Sequence, residues 1–240
     1  MYDVLIIGAG IVGLAIARRL ARYQLKIAVV EKEPDVAMGA TKANSAIVHG
    51  GFAESHAKRK GQLCYQGRIQ FSHLNNELNF GFRETGSLVI TTNPDALPAL
   101  EALKANGIRN GLTDLEILGR DAILAREPAL NPDVRYALLC RGAGICSPYG
   151  MAIAMAENAL ANGADLILNE AVMSIEQQPA ERAPRRVFLV RTSHRVFQTC
   201  YLINCAGIDS ESVANLVSPA HFEIHPRSGE YLLFERDTGS

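Results

Sequence analysis

Three glycines near the N-terminus carry the clearest chemical signal, because Gly8-Ala9-Gly10-Ile11-Val12-Gly13 has the spacing G-x-G-x-x-G. In such a turn the first glycine permits a tight bend, and the second lets main chain approach a pyrophosphate with no Cβ between them. The third lets helix and strand pack closely. The unpaired N–H groups and positive dipole end of the helix that starts there favour an anion. Glu31 lies 18 positions beyond Gly13, where a carboxylate accepts hydrogen bonds from a ribose diol and repels a 2′-phosphate. Gly8, Gly10, Gly13 and Glu31 therefore predict a site for the ADP part of a dinucleotide other than NADP. They leave FAD and NAD both open, and a glycine turn with no ligand is the plain alternative.

A second candidate set lies in Ala40–Gly51, a run rich in small and hydroxyl residues that contains Thr41, Asn44, Ser45 and His49. Hydroxyls and backbone N–H groups in such a loop suit a diphosphate, whereas a Ser/Thr/Asn turn with a solvated histidine has the same composition. The five cysteines form no C-x-x-C pair, which fits reduced thiols in a cytoplasmic protein and supplies no metal site. A net charge of -1 from 24 basic and 25 acidic residues, without long single-sign blocks, excludes a nucleic-acid footprint and a polybasic membrane patch. The apolar stretch Val4–Ala17 is interrupted by glycines and lacks a basic leader, so it reads neither as a signal peptide nor as a transmembrane segment.

The elements that must position these residues follow from hydrophobic period. Asp3–Ile7 is a β-branched run of the kind buried on both faces of a parallel sheet. Ile11–Tyr23 places Val12, Ala15, Ile16, Arg19 and Leu20 at helical spacing, and Lys26–Glu31 is a second buried strand, completing a βαβ unit. The texture then shifts between Asn75 and Thr92, with Gly86–Thr92 alternating like a strand and Asp95–Ala105 patterned as an amphipathic helix. Gly144–Asn162 supplies a Pro-led helix, and Ala164–Ile175 one or two strands. Arg186–Arg195 with Val196–Cys205 reads as a hairpin ending at Ala206-Gly207. Pro179–Pro184 is a polar turn.

With these residues in place, a resemblance becomes specific. Asn44-Ser45-Ala46-Ile47-Val48-His49-Gly50-Gly51 resembles the N-S-G-x-x-H-x-G run of the D-amino-acid-oxidase-like family of FAD-dependent oxidoreductases, above all its glycerol-3-phosphate dehydrogenase and L-2-hydroxyglutarate oxidase branches. Ala46 stands where the family carries glycine. Gly144–Pro148 resembles its G-x-x-S/D-P segment, and Leu202–Gly207 with Asp209 its strand-N-A-A-G motif. His225–Tyr231, followed by Leu232-Leu233-Phe234, resembles its P-x-x-G-x-Y segment. The resemblance implies FAD as cofactor, with Thr41, Asn44 and Ser45 among the residues that bind it and the Ala206-Gly207 backbone close to the FAD. Val172 would lie against adenine, although a core valine has the same signature. His49 would serve as a base or flavin contact, or have a purely structural role. Arg227 would hold an anionic substrate through its bidentate fork, or be an exposed ion-pair partner.

The fold expected is α/β: a Rossmann-like FAD-binding domain (1–80 and 141–215) with an interleaved, incomplete α+β substrate domain (81–140 and 216–240). Family members continue further, so the chain is expected to be C-terminally truncated, ending on an edge strand at Glu230–Glu235. The activity implied is oxidation of the CH–OH group of a small anionic substrate, glycerol 3-phosphate or a 2-hydroxy acid. Electrons would pass to a quinone, oxygen or a redox protein, and the protein would be cytoplasmic with peripheral membrane contact permitted. An amine oxidase of the same family, a catalytically silent FAD-binding fragment and an NAD-dependent dehydrogenase are the alternatives.

Overall fold

The computed structural model describes residues 1–179 and 186–232. Most of the expected Pro179–Pro184 turn and the end of the expected Glu230–Glu235 strand lie outside the described residues, and Glu230–Leu232 belong to no strand. Among the described residues two compact units form: Met1–Ser45 with Ser147–Gly229, and Ala46–Cys146 with Glu230–Leu232. The chain crosses between them at 45/46, 146/147 and 229/230, so residues 46–80 and 141–146 pack with the second unit and residues 216–229 with the first, unlike the bounds the sequence suggested.

The first unit is built on a six-stranded sheet in the order Asp165–Ile167, Ile27–Val30, Tyr2–Ile7, Val196–Asn204, Arg186–Thr192, Val172–Pro179. The first four strands are parallel, and the last two join by antiparallel pairing. Val4–Ile7 and Ile27–Val30 are buried along their whole length, as parallel strands must be when covered on both faces. On one face the helices Ile11–Leu20 and Pro148–Ala161 pack together. The second helix starts with Ser147 accepting a hydrogen bond from the Gly150 N–H and with a proline in its first turn, a combination that satisfies an otherwise unpaired donor.

The buried stripe of Ile11–Leu20 is Gly13, Leu14 and Ala17, which corrects the Val12, Ala15, Ile16, Arg19, Leu20 stripe read from spacing. Val12 is 60% exposed. The reason is steric: only Gly13 lets the helix descend onto the Gly8 carbonyl, and that contact sets the rotation of the whole helix.

The second unit carries a three-stranded antiparallel sheet, Ser87–Thr91 and Leu115–Gly119 on either side of Tyr136–Cys140. Alternation along its central strand feeds two cores: Leu138 and Cys140 join Phe52, Leu100 and Leu112, while Ala137 and Leu139 join Leu118, Ile123 and Val134. Helices Leu97–Arg109 and Arg120–Arg126 contribute Leu100 and Ile123 to these cores. A two-stranded pair, Ile47–Val48 with Gly144–Ile145, completes the strands. Helices Arg59–Arg68 and Phe71–Leu78 were not among the elements expected from the sequence.

At the centre of this unit Arg68, with its side chain 8% exposed, forks onto Asp114 through bonds of 2.6 and 3.2 Å, and Asp114 also accepts the Gly142 N–H at 2.7 Å. Burial pushes the Asp114 carboxyl up, but the hydrogen bonds from Arg68 and Gly142 outweigh it and hold it below the ordinary carboxylate range. A carboxyl depressed in the folded state stabilises above its unfolded pKa and loses that contribution as pH falls through the folded one. Thermal melting is therefore expected to be flat at neutral pH and to decline on acidification below about pH 4. Asp114→Asn should melt lower at neutral pH and show a shallower acid decline; an unchanged acid slope would remove the pair from this role.

Candidate dinucleotide site

The carboxyl ends of Tyr2–Ile7, Ile27–Val30 and Val196–Asn204 converge on the glycine turn. Gly8 donates its N–H to Val30 O at 2.8 Å, and Cys205 donates to Ile7 O at 2.8 Å, so ladder bonding continues past both strands into the turns. Gly8 adopts φ +103°, and a Cβ there would stand 2.4 Å from the Cys205 carbonyl oxygen. Gly13 is tighter still, with its Cβ position 2.0 Å from Gly8 O. Gly10 differs: its φ of -75° is open to any residue, and the nearest atom to its Cβ position is Thr41 Oγ1 at 3.2 Å. Two glycines are thus required by the fold, while the third leaves space in front of the main chain.

Thr41 reaches this turn from the following loop, its Oγ1 accepting the Ile11 N–H at 3.1 Å. Val12 and Gly13, in the first helical turn, have no intrahelical acceptor by position. Ala37 donates to Ala9 O at 3.0 Å, pinning the same loop. The Glu31 carboxylate accepts the Ala9 N–H at 2.7 Å and the Glu33 N–H at 3.1 Å, which fixes its orientation and leaves lone pairs on both oxygens. Asn204 brackets the far turn, accepting the Ala206 N–H and donating to Ser210 O.

These segments enclose a cavity of about 570 Å³ lined by Gly8, Gly10, Glu31, Thr41, Val172, Ala206 and Gly207 among others. N–H donors and a helix N-terminus for phosphates, a carboxylate for a diol and an apolar wall suit an ADP moiety. Gly13 is not among the lining residues and acts beneath the turn. Asn44 and Ser45 are exposed and outside the lining; the Asn44 amide donates to Ala40 O and Thr41 O, shaping the loop from within. Arg227 is exposed on an irregular segment and does not line this cavity. His49 belongs to the second unit, where it is exposed directly after Ile47–Val48.

The sequence reading missed Lys32 and Glu170, both of which line the cavity. Lys32 pairs with Asp209 at 2.8 Å; a lysine next to an acid gives no pattern that marks it. Ala46, where the resemblance calls for glycine, has φ +61°, a left-handed conformation that costs an L-residue roughly 1–2 kcal/mol. Ala46→Gly is expected to raise stability by about 1 kcal/mol, measured by urea unfolding; a loss of stability would show that the strain is relieved elsewhere.

Among the described residues no helix is long and apolar enough to cross a membrane. The model of the FAD dependent oxidoreductase (DAO) family matches residues 3–240. A glycerol 3-phosphate dehydrogenase of Caloramator mitchellensis is 38% identical over 240 residues, covering 100% of this chain and 49% of its own. The human mitochondrial L-2-hydroxyglutarate dehydrogenase is 29% identical over 245 residues, covering 98% of this chain and 52% of its own. Among solved structures, the dithionite-reduced L-alpha-glycerophosphate oxidase of Mycoplasma pneumoniae with FAD bound superposes with a TM-score of 0.84 at 28% identity, over 92% of this chain and 58% of that one. The chain spans about half the length of the curated relatives it matches.

Proposed function

The chain belongs to the FAD dependent oxidoreductase family, whose cofactor is FAD, and from that premise we propose that the glycine-turn cavity holds the ADP half of FAD in a protein that oxidises the CH–OH group of a small anionic substrate. The observation that carries this reading is the convergence of Gly8, Gly10, Glu31, Thr41, Val172, Ala206 and Gly207, from five separate stretches of sequence, on one cavity. Gly10 and the first-turn N–H groups receive the pyrophosphate, the Thr41 hydroxyl donates to it, and Glu31 accepts from the adenosine ribose. Val172 and the Ala206-Gly207 main chain give the apolar and close-approach walls, and Asn44 and Ser45 support the Thr41 loop. When bound, FAD supplies the acceptor for the hydride.

His49 takes the hydroxyl proton, and Arg227 is assigned to the substrate anion through its guanidinium fork. Glycerol 3-phosphate is the substrate favoured by the 38% identity to a glycerol 3-phosphate dehydrogenase over the whole of this chain; a 2-hydroxy acid is the second choice, supported by the similarity to L-2-hydroxyglutarate dehydrogenases. Electrons leave to a quinone, oxygen or a redox protein, in the cytoplasm or at its membrane surface, a placement that rests on the five free thiols.

Anaerobic titration tests this directly. Flavin absorbance should co-elute with the protein and bleach on addition of glycerol 3-phosphate, or of L-2-hydroxyglutarate, and persist with glycine or sarcosine. Bleaching by the amines alone would move the protein to amine oxidation, and a stably bound flavin that no substrate reduces would mark a silent FAD-binding protein.

A further inference from the structure

One wall of the cavity is formed by the connection that leads into the strand Val172–Pro179. Asn169, Glu170 and Ala171 lie between the strands Asp165–Ile167 and Val172–Pro179, yet Glu170, Ala171 and Val172 all face the cavity. Such a segment is free to move unless side chains fix it. Here the fixing group is a carboxylate: the Glu170 side chain is 3% exposed and is surrounded by donors from the hairpin turn that precedes Val196–Asn204. It accepts the Thr192 hydroxyl at 2.5 Å, the His194 N–H at 3.1 Å and Arg195 Nε at 3.2 Å. The residue's own N–H donates to Glu31 O at 2.8 Å, and the neighbouring Asn169 N–H donates to Glu33 O at 3.1 Å. The buried carboxylate therefore ties the wall to the hairpin turn, while the main chain of Asn169 and Glu170 ties it to the strand end that carries the ribose-binding acid.

We propose that Glu170 is a positioning residue for the adenosine end of the cavity: its carboxylate is engaged by the hairpin donors, and it sets the position of Val172 relative to Glu31, between which the adenosine must fit. This rests on the dinucleotide reading of the cavity. The chemistry is specific to a carboxylate, because three donors converge on it and a charged acceptor makes stronger bonds than a neutral one. Glutamine keeps the shape but turns an NH₂ donor toward either Arg195 Nε or the His194 N–H, both of which only donate, and it removes the ion pair. A wall freed at this point still folds, since the sheet pairing on either side is independent of the carboxylate.

The test compares ligand affinities of the whole chain. FAD affinity is read by flavin fluorescence, and ADP, which contains the adenosine end alone, is titrated as its competitor. Glu170→Gln is expected to weaken FAD and ADP by the same factor, about tenfold, the worth of one charge-assisted hydrogen bond. Arg195→Gln, which removes the ion pair from the exposed side, should weaken both in the same proportion to a smaller extent. Val190→Ala controls for stability, because Val190 is 0% exposed in the core of the same hairpin; it should lower the melting temperature and leave ADP affinity as it was. The proposal is overturned if E170Q binds ADP like the wild type, or if V190A weakens ADP as much as E170Q does. A wild-type protein that bound neither FAD nor ADP would remove the dinucleotide reading itself, and the proposal with it.

Discussion

Gly10→Ala is expected to weaken FAD about a hundredfold, or ~2.7 kcal/mol, while the FAD-free protein melts as before. Gly13→Ala should do the reverse, costing about 3 kcal/mol of stability, beyond the usual range for overpacking because the obstacle is backbone. The contrast comes from what each new methyl would meet. At Gly10 the backbone is extended and the nearest atom is the Thr41 hydroxyl at 3.2 Å, a side chain that can give by a few tenths of an ångström. The methyl then stands in the space a pyrophosphate needs. At Gly13 the methyl would sit 2.0 Å from the Gly8 carbonyl oxygen and 3.3 Å from Cys205 Cβ, so helix Ile11–Leu20 must lift off the sheet. For a chain of this size about 3 kcal/mol corresponds to roughly 6–12 °C in melting temperature. Calorimetry on the FAD-free variants and fluorescence titration with FAD separate the two effects. If G10A bound FAD as tightly as the wild type, the phosphates would have to lie elsewhere, and the assignment of the cavity would be wrong.

These two glycines also mark how far the sequence could be read. Strand, glycine turn, helix, strand and acid occur at spacings that only one local structure satisfies, so the βαβ unit was legible from Met1 to Glu31. The segments Val172 and Ala206-Gly207 were legible only through resemblance, because a valine in a strand and a glycine after one are common in any sheet. Their approach to Gly8 and Thr41 depends on strand order, in which Val196–Asn204 lies beside Tyr2–Ile7 across nearly the whole length of the chain. The rotation of helix Ile11–Leu20 was misread because spacing alone admitted an apolar stripe through Val12, while one steric contact at Gly13 decided the matter. Residues 46–80 were assigned to the wrong unit for a related reason. Helices Arg59–Arg68 and Phe71–Leu78 are polar and short, and what fixes them is tertiary: Arg68 on Asp114, Phe71 against Phe80 and Phe82. Glu170 could not have been found at all, since its meaning lies in three donors that only the fold brings to it.

His49→Ala carries the largest expected effect on turnover, a fall in kcat of about 10²–10⁴-fold, the usual range for removing a general base. The fold holds the backbone at this position without using the side chain. Ile47–Val48 is paired with Gly144–Ile145, and the two residues after His49 are glycines with no room for a side chain: a Cβ on Gly50 would meet Cys140 Sγ at 2.4 Å, and Gly51, at φ +103°, packs on Tyr65. The backbone on both sides of His49 is thereby fixed, yet the imidazole is exposed and contributes little to stability. Stability of H49A should accordingly stay within about 0.5 kcal/mol of the wild type, as for other exposed positions, and FAD should be retained. A structural histidine would give the opposite pattern, a lower melting temperature with an unaltered kcat. Unchanged kcat and flavin affinity in H49A would return the proton transfer to another residue.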